Sequence, residues 1–118
     1  MEILQVLQKK LDLNEKDLPE FEEVLQGVKD ITEKYHIQFS ENAELVFYAH
    51  IISFVLRLKD GEVLNGKFDD CQKEIESSVI SIAEEIVTYI CKRYNSEMDK
   101  AEVLLIAIHI QAALVNRE

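Results

Sequence analysis

The sequence predicts an all-α protein, a five-helix antiparallel bundle that forms a single domain over residues 1–118. Only three glycines and one proline interrupt the chain, which favours long helices over short strands. Apolar side chains recur at every third or fourth position along most of the sequence, as on the buried face of a helix. With 47% hydrophobic residues, a chain of this length can bury a core that needs no disulfide or metal.

The first two helices have clear starting signals. Residues 2–11 place apolar side chains at helical spacing and predict a short first helix. A capping box of Asp17 and Glu20, with Pro19 in the first turn, predicts the start of the second helix. The buried face of the second helix is predicted to carry Leu18, Phe21, Leu25, Val28, Ile31 and Tyr35.

Two further residues of this region have specific expectations. Gly27 costs roughly 1 kcal/mol against alanine inside a helix, so its presence indicates that another helix crosses closely at that point. His36 follows the end of the second helix, where we expect it to be exposed or to cap the helix rather than to act in a site.

The third helix is predicted to begin after Ser40, which can cap it, and to run to about Lys59. The segment KDGEVLNGKFDD then contains two glycines and several acids, which predicts a solvated loop. The predicted core face of the helix carries Leu45, Ala49, Ile52 and Leu56. A more polar face beside it carries Val46, His50, Ser53 and Arg57.

The fourth helix is predicted to begin near Asp70 or Gln72 and to end near Arg93. After a break, Ser96 and Asp99 form a second box-like cap, and the apolar run EVLLIAIHIQAA makes the last helix, which frays after residue 116. The buried edge of the fourth helix is predicted to carry Ile75, Val79, Ile82, Ile86 and Ile90.

The charge of the chain excludes two classes of direct partner. Its 23 acidic and 13 basic residues give a net charge of −10. Nucleic-acid phosphates and anionic lipid headgroups both attract basic surfaces, so we expect no direct nucleic-acid or membrane contact. A basic patch on another protein is compatible with this charge.

The compartment is predicted to be the cytoplasm. No apolar run reaches the roughly 18 residues that cross a bilayer, and the opening MEILQVLQKKL is too short and too amphipathic for a signal peptide. Cys71 and Cys91 have the spacing of neither a redox CxxC pair nor a zinc knuckle. We expect both thiols to be reduced, with Cys91 buried on a helix.

Two helices each place one imidazole in an apolar setting with a charged residue two turns away. In HIISFVLR, Arg57 follows His50 by seven residues, and in the last helix His109 follows Glu102 by seven. Seven residues are close to two helical turns, so the members of each pair share a face. The repetition favours a functional role over two unrelated core histidines.

An imidazole in this setting has three possible roles: a hydrogen-bonded core residue, a metal ligand, or an acceptor of a phosphoryl group or proton. Zinc could use His50, His109 and Glu102, but no fourth ligand is evident, so we expect neither a metal nor a cofactor. Arg57 could steady an incoming phosphate, whereas Glu102 could orient a ring nitrogen and would repel a phosphate lying close to it. The spacing permits a phosphorylatable site without requiring one.

These residues resemble a known family. The segment HIISFVLR is similar to the first histidine motif of PTS regulation domains (PRDs), and AEVLLIAIHI resembles their second motif. His50 and His109 are 59 residues apart, as in one PRD, and the resemblance covers nearly the whole chain. This sequence departs from the family pattern in three places. The acidic pair of the second motif is reduced here to Ala101-Glu102, and the Asn-Pro-Leu that commonly follows the first motif has no counterpart except Asn65. No Tyr-Pro element precedes the fourth helix.

The resemblance implies an all-helical, often dimeric module from bacterial antiterminators and activators of sugar-utilisation operons. In that family the histidine phosphocarrier protein or sugar-permease enzyme II components phosphorylate such histidines. His50 and His109 are then the candidate phosphoacceptors, and Arg57 and Glu102 stand at the matching charged positions. We expect a stand-alone PRD that is not an enzyme, whose partners are a second copy or a PRD-containing regulator together with the phosphodonor.

Two other interpretations stay open. A PRD that has lost phosphorylation would act only as a dimerisation partner or antagonist of a larger regulator. A small metal-binding protein or enzyme using the same imidazoles is less favoured, because no substrate-positioning loop is evident in the sequence.

Overall fold

A computed structural model describes residues 2–61 and 75–115, and within these ranges the chain is helical without a strand. This confirms the all-α class. The five helices of the described part are α1 (Glu2–Leu11), α2 (Leu18–Lys34), α3 (Glu41–Asp60), α4 (Ser77–Arg93) and α5 (Lys100–Val115). A single 3₁₀ turn, Glu15–Asp17, leads into α2.

The last helix, α5, is the most apolar of the five described helices. It packs most extensively on α4 and also on α3, while α2 contacts α4 and α3, and α1 lies against α2 and α3. Apolar residues are spread around all sides of α5, which is the pattern of a helix with neighbours on several faces. The largest fully buried side chains of the core include Phe21, Phe47, Phe54, Ile51, Ile86 and Ile90.

The helix caps agree with the sequence at α3 and differ at α2 and α5. The Ser40 hydroxyl accepts the Ala43 N–H at 3.2 Å, as predicted. Asp17 makes no side-chain cap, so the predicted box with Glu20 is wrong. The preceding 3₁₀ turn already brings the chain into helical geometry at this point, and the Glu20 carboxylate binds Lys59 Nζ at 3.0 Å.

At α5 the cap is Asp99 alone. Its carboxylate accepts the Ala101 N–H at 2.9 Å, whereas the Ser96 hydroxyl donates to the Glu97 carbonyl. The predicted box-like cap of Ser96 with Asp99 is therefore wrong, because Ser96 lies too early in the chain to reach the free amides of α5.

The buried face of α3 is rotated from the predicted one. Leu45, Ala49 and Leu56 are only half-buried. Helix α3 meets α5, α1 and α2 together, so its core face is wider than one apolar stripe. The side chains that it buries are Phe47, Tyr48, Ile51, Ile52, Phe54 and Val55.

On α2, Phe21, Leu25 and Val28 are buried as predicted, whereas Leu18 and Ile31 are only half-buried. Tyr35 departs furthest: it is 41% exposed, and its hydroxyl donates to the Glu85 carboxylate. The prediction for Tyr35 is wrong because it falls at the C-cap of the helix, beyond its last turn. His36 follows with a positive φ of 57° and is exposed, as expected.

The fourth helix begins later than predicted. Glu76 is extended and stands at the N-cap position, without a side-chain hydrogen bond, of a helix that starts at Ser77. Ile75 therefore precedes the helix, although it is buried as expected. Cys91 is buried on α4, which confirms that prediction. Most of the predicted loop KDGEVLNGKFDD, the predicted start near residues 70–72 and Cys71 lie outside the described residues.

The crossing predicted at Gly27 is present. A Cβ added to Gly27 would lie 2.1 Å from the Tyr89 hydroxyl oxygen and 2.2 Å from the ring carbon that carries it. The same hydroxyl donates to the Glu23 carbonyl at 3.3 Å. The missing side chain thus lets α4 lie against α2 through the Tyr89 ring.

None of the helices in residues 2–61 and 75–115 combines the length and the apolarity needed to cross a bilayer.

Candidate functional site

The four predicted site residues meet along the contact between α3 and α5. His50 lies opposite His109, with ring centroids 5.2 Å apart and ring planes tilted by 50°. Arg57 lies opposite Glu102, with Nη2 2.5 Å from Oε1. We call these four residues the histidine seam. Since α3 places its histidine first and α5 places its histidine second, both pairs can form only if the two helices run antiparallel.

The seam contains a buried carboxylate. The Glu102 side chain is 1% exposed, against 22% for Arg57 and 15% for His50. One carboxylate oxygen, Oε1, accepts the Arg57 hydrogen bond, while Oε2 faces Nε2 of His50 at 3.9 Å. That distance is too long for a hydrogen bond, and both facing atoms are buried without a partner among the described residues.

Burial also sets the charge of the two imidazoles. It lowers the pKa of His50 to about 4, with the neighbouring His109 and Arg57 acting in the same direction. Burial lowers the pKa of His109 as well. Both rings are therefore neutral at pH 7, and each keeps a nitrogen lone pair.

Glu102 experiences opposing influences. Burial raises the pKa of this carboxyl, whereas the charge and the hydrogen bond of Arg57 act to lower it. The short ion pair is the contact that keeps a carboxylate in this apolar setting.

Each end of the seam opens on a surface cleft. His109 lines a cleft of about 300 Å³ between the start of α3 and the end of α5, together with short side chains such as Ser40 and Ala112. Arg57 and Glu102 line a second cleft of about 530 Å³, whose other wall is the segment 95–100. The histidine pair and the ion pair are thus reached from different sides.

The sequence predicted all four residues but not their pairing. It placed each histidine on the same helix face as a charged residue two turns away, and the contacts observed cross between the helices. The opposite order of histidine and charge in the two motifs, at equal spacing, was the signal for an antiparallel His–His and Arg–Glu match. The sequence did not indicate that the segment 95–100 would line the cleft beside Arg57 and Glu102, because this segment reaches the end of α3 only in the folded chain.

A metal-binding group is not present in the described part of the chain: no three histidine, cysteine, aspartate or glutamate side chains there are arranged to hold an ion. His50, His109 and Glu102, the three ligands considered from the sequence, lie near one another without forming such a group.

Comparisons with known proteins agree with this fold. The sequence model of the family described as PRD domain matches residues 25–113, a range that includes the whole seam. The structure resembles the crystal structure of a PRD-containing transcription regulator from Lactobacillus casei, with a TM-score of 0.77 and 20% sequence identity over 92% of each chain. No match was found among curated proteins.

Proposed function

The chain belongs to the PRD domain family, and from this membership we propose that it is a regulatory module whose protein contacts change when a histidine of the seam is phosphorylated. The proposed phosphodonor is the histidine phosphocarrier protein or an enzyme II component of a sugar permease. The proposed partner is a second copy of the chain or a larger PRD-containing regulator of sugar-operon transcription or antitermination.

One observation supports the proposal most: two neutral imidazoles lie 5.2 Å apart between α3 and α5, one of them on an open cleft. A phosphoryl acceptor needs an unprotonated ring nitrogen, and the lowered pKa of both histidines provides it at neutral pH. An isolated core histidine needs neither a second imidazole nor a cleft.

The effect of phosphorylation would be electrostatic. A phosphoryl group carries close to two negative charges at pH 7, and the other charges in the seam are those of Arg57 and of Glu102, which is 1% exposed. Its repulsion would oppose the Arg57–Glu102 pair or attract Arg57 to itself. Either change alters the packing of α3 on α5, so a local charge would affect the surface that a partner contacts.

The proposal does not include direct binding to RNA or DNA. The net charge of −10 makes a phosphate-binding face unfavourable, so regulation would pass through the protein partner.

Labelling with phosphoenolpyruvate, enzyme I and the histidine phosphocarrier protein tests the proposal. We expect one or both seam histidines to carry phosphate, and the chain with His50→Ala and His109→Ala together to remain unlabelled. A wild-type chain that stays unlabelled, under conditions that label a control PRD, would rule out the signalling role.

A second candidate is a pairing module that is not phosphorylated. It is favoured by the apolar character of α5 on its outer side, where Leu105 and Ile108 remain only half-buried and Ala112 is exposed. In that case His50→Ala and His109→Ala would leave partner binding unchanged whether or not phosphodonor is present. Under the first candidate the same substitutions would remove the response to phosphodonor.

A further inference from the structure

We infer that His109, and not His50, is the imidazole that first accepts the phosphoryl group, and that the donor reaches it through the cleft between the start of α3 and the end of α5. This inference rests on the proposed function and adds the identity of the acceptor.

The first argument is access. His109 is part of the wall of the 300 Å³ cleft, and the neighbouring walls carry short side chains, among them Ser40, Ala43 and Ala112. The rim residue Val46 is 54% exposed. A donor side chain can therefore approach the His109 ring without displacing a bulky residue. His50 is not among the residues that line this cleft.

The second argument is the surroundings of His50. Its Nε2 atom is buried and faces the carboxylate of Glu102 at 3.9 Å. A phosphoryl group on that nitrogen would meet a negative charge that almost no solvent screens, because Glu102 is 1% exposed. Arg57, the cation that could offset the repulsion, is already bound to Glu102 at 2.5 Å.

Protonation state at pH 7 does not separate the two histidines. Burial lowers the pKa of both, so each is neutral and has a free lone pair at pH 7. Access and local charge are the features that differ, and both favour His109.

The transfer from a phosphohistidine donor is balanced without a further reactant. The bond from phosphorus to the donor's ring nitrogen breaks, and that nitrogen takes back the electron pair. A bond forms between phosphorus and the unprotonated nitrogen of His109, whose other nitrogen keeps its proton. The new dianion then lies beside His50, so the pKa of His50 should rise from about 4.

Potassium phosphoramidate, a small phosphodonor that needs no protein partner, tests the order of reactivity on the intact chain. Phosphohistidine is mapped by mass spectrometry of peptides, with the exposed His36 as the reference imidazole. We expect His109 to react at least about tenfold faster than His50. Equal rates, or faster reaction at His50, would overturn the inference.

A matched pair of substitutions tests the route. Val46→Trp should fill the cleft and reduce the reaction of His109 relative to His36 by about tenfold. Val6→Trp, at a valine of α1 that is 44% exposed and lines a different groove, should leave that ratio unchanged. An unchanged ratio in Val46→Trp would show that the cleft is not the route.

These results are separable from the proposed function. If the phosphocarrier system fails to label the wild type, the signalling role fails while the order of phosphoramidate reactivity stands. If the phosphocarrier labels His50 first, the role stands and the inference fails.

Discussion

At Glu102 the chain places a carboxylate among apolar helices with 1% of its side chain exposed. Arg57 binds one of its oxygens, and the other faces Nε2 of His50 at 3.9 Å without a hydrogen bond. Burying an ion pair is costly unless its hydrogen bonds are complete, so a half-paired carboxylate is unusual in a structural role. Its position beside the imidazole of His50 agrees with the charge-responsive site that we propose.

Removal of Arg57 should destabilise the protein. Arg57→Met leaves the Glu102 carboxylate buried without its partner, which we expect to lower the free energy of unfolding by about 3 kcal/mol at pH 7. Urea unfolding monitored by circular dichroism measures this. The double variant Arg57→Met/Glu102→Met should recover most of the loss, because no charge is then buried. A double variant as unstable as the single one would contradict this account of the pair.

The buried His50 should make stability depend on pH. Its pKa is about 4 in the folded chain against an ordinary 6.5, so the unfolded chain takes up the proton first as the pH falls. The stability associated with neutral His50 is complete above pH 6.5 and is lost progressively between pH 6.5 and 4. At pH 5 the loss should amount to about 2 kcal/mol.

The variant His50→Gln isolates this effect. Between pH 7 and pH 5 its free energy of unfolding should fall by about 2 kcal/mol less than that of the wild type. Arg57, Glu102 and His109 face His50 and are present in both proteins. The raised pKa of Glu102 acts with the opposite sign, since it favours the folded chain as the pH falls, and largely cancels in the comparison. Equal pH dependence in the two proteins would show that His50 is not held neutral by the fold.

At the level of the helices, the seam depends on matched spacing. Seven residues separate the histidine from the charged residue on α3 and again on α5, and the histidine comes first on α3 but second on α5. Antiparallel packing therefore brings the two histidines together at one end and the two opposite charges together at the other. Helical periodicity could predict that His50 and Arg57 share a face. It could not predict which face of α3 would be buried, because that depends on how α5, α1 and α2 pack around the helix.

The contact of α2 with α4 offers a test at the same scale. Gly27→Ala should destabilise the wild type, because the new methyl group would lie 2.1 Å from the Tyr89 hydroxyl. In a Tyr89→Ala background the same change should instead stabilise the chain by up to about 1 kcal/mol, through helix propensity alone. Thermal unfolding of the four proteins in this double-mutant cycle measures the coupling. Additive effects would mean that the two helices do not meet through this pair.

At the level of the whole molecule, the sequence predicted the all-α class and the helices closely where caps or periodicity are strong. Ser40 and the end of α3 are where the pattern placed them, and so is the buried Cys91. The cap of α2 was missed because Asp17 lies in a 3₁₀ turn, and Tyr35 was misassigned because α2 ends before it. The local sequence pattern predicts that a helix is present better than it predicts the residues at which the helix begins and ends.

The candidate site was predictable in its members and not in its arrangement. Composition and spacing singled out His50 and His109, each with a charged residue on its own helix. The cleft beside His109 and the burial of the nitrogen of His50 depend on the tertiary contact between α3 and α5. These two features distinguish His109 from His50, and neither can be predicted from the local sequence.

The central claim is that charge added at the histidine seam changes how the chain associates. The measurement that tests it most directly is the solution mass of the wild type before and after treatment with phosphoenolpyruvate, enzyme I and the phosphocarrier, with phosphohistidine quantified in the same samples. The account predicts that the solution mass changes in proportion to the phosphate bound. The variant with alanine at positions 50 and 109 should show no bound phosphate and no change in mass. A fully phosphorylated chain with an unchanged mass, alone and with a PRD-containing partner, would contradict it.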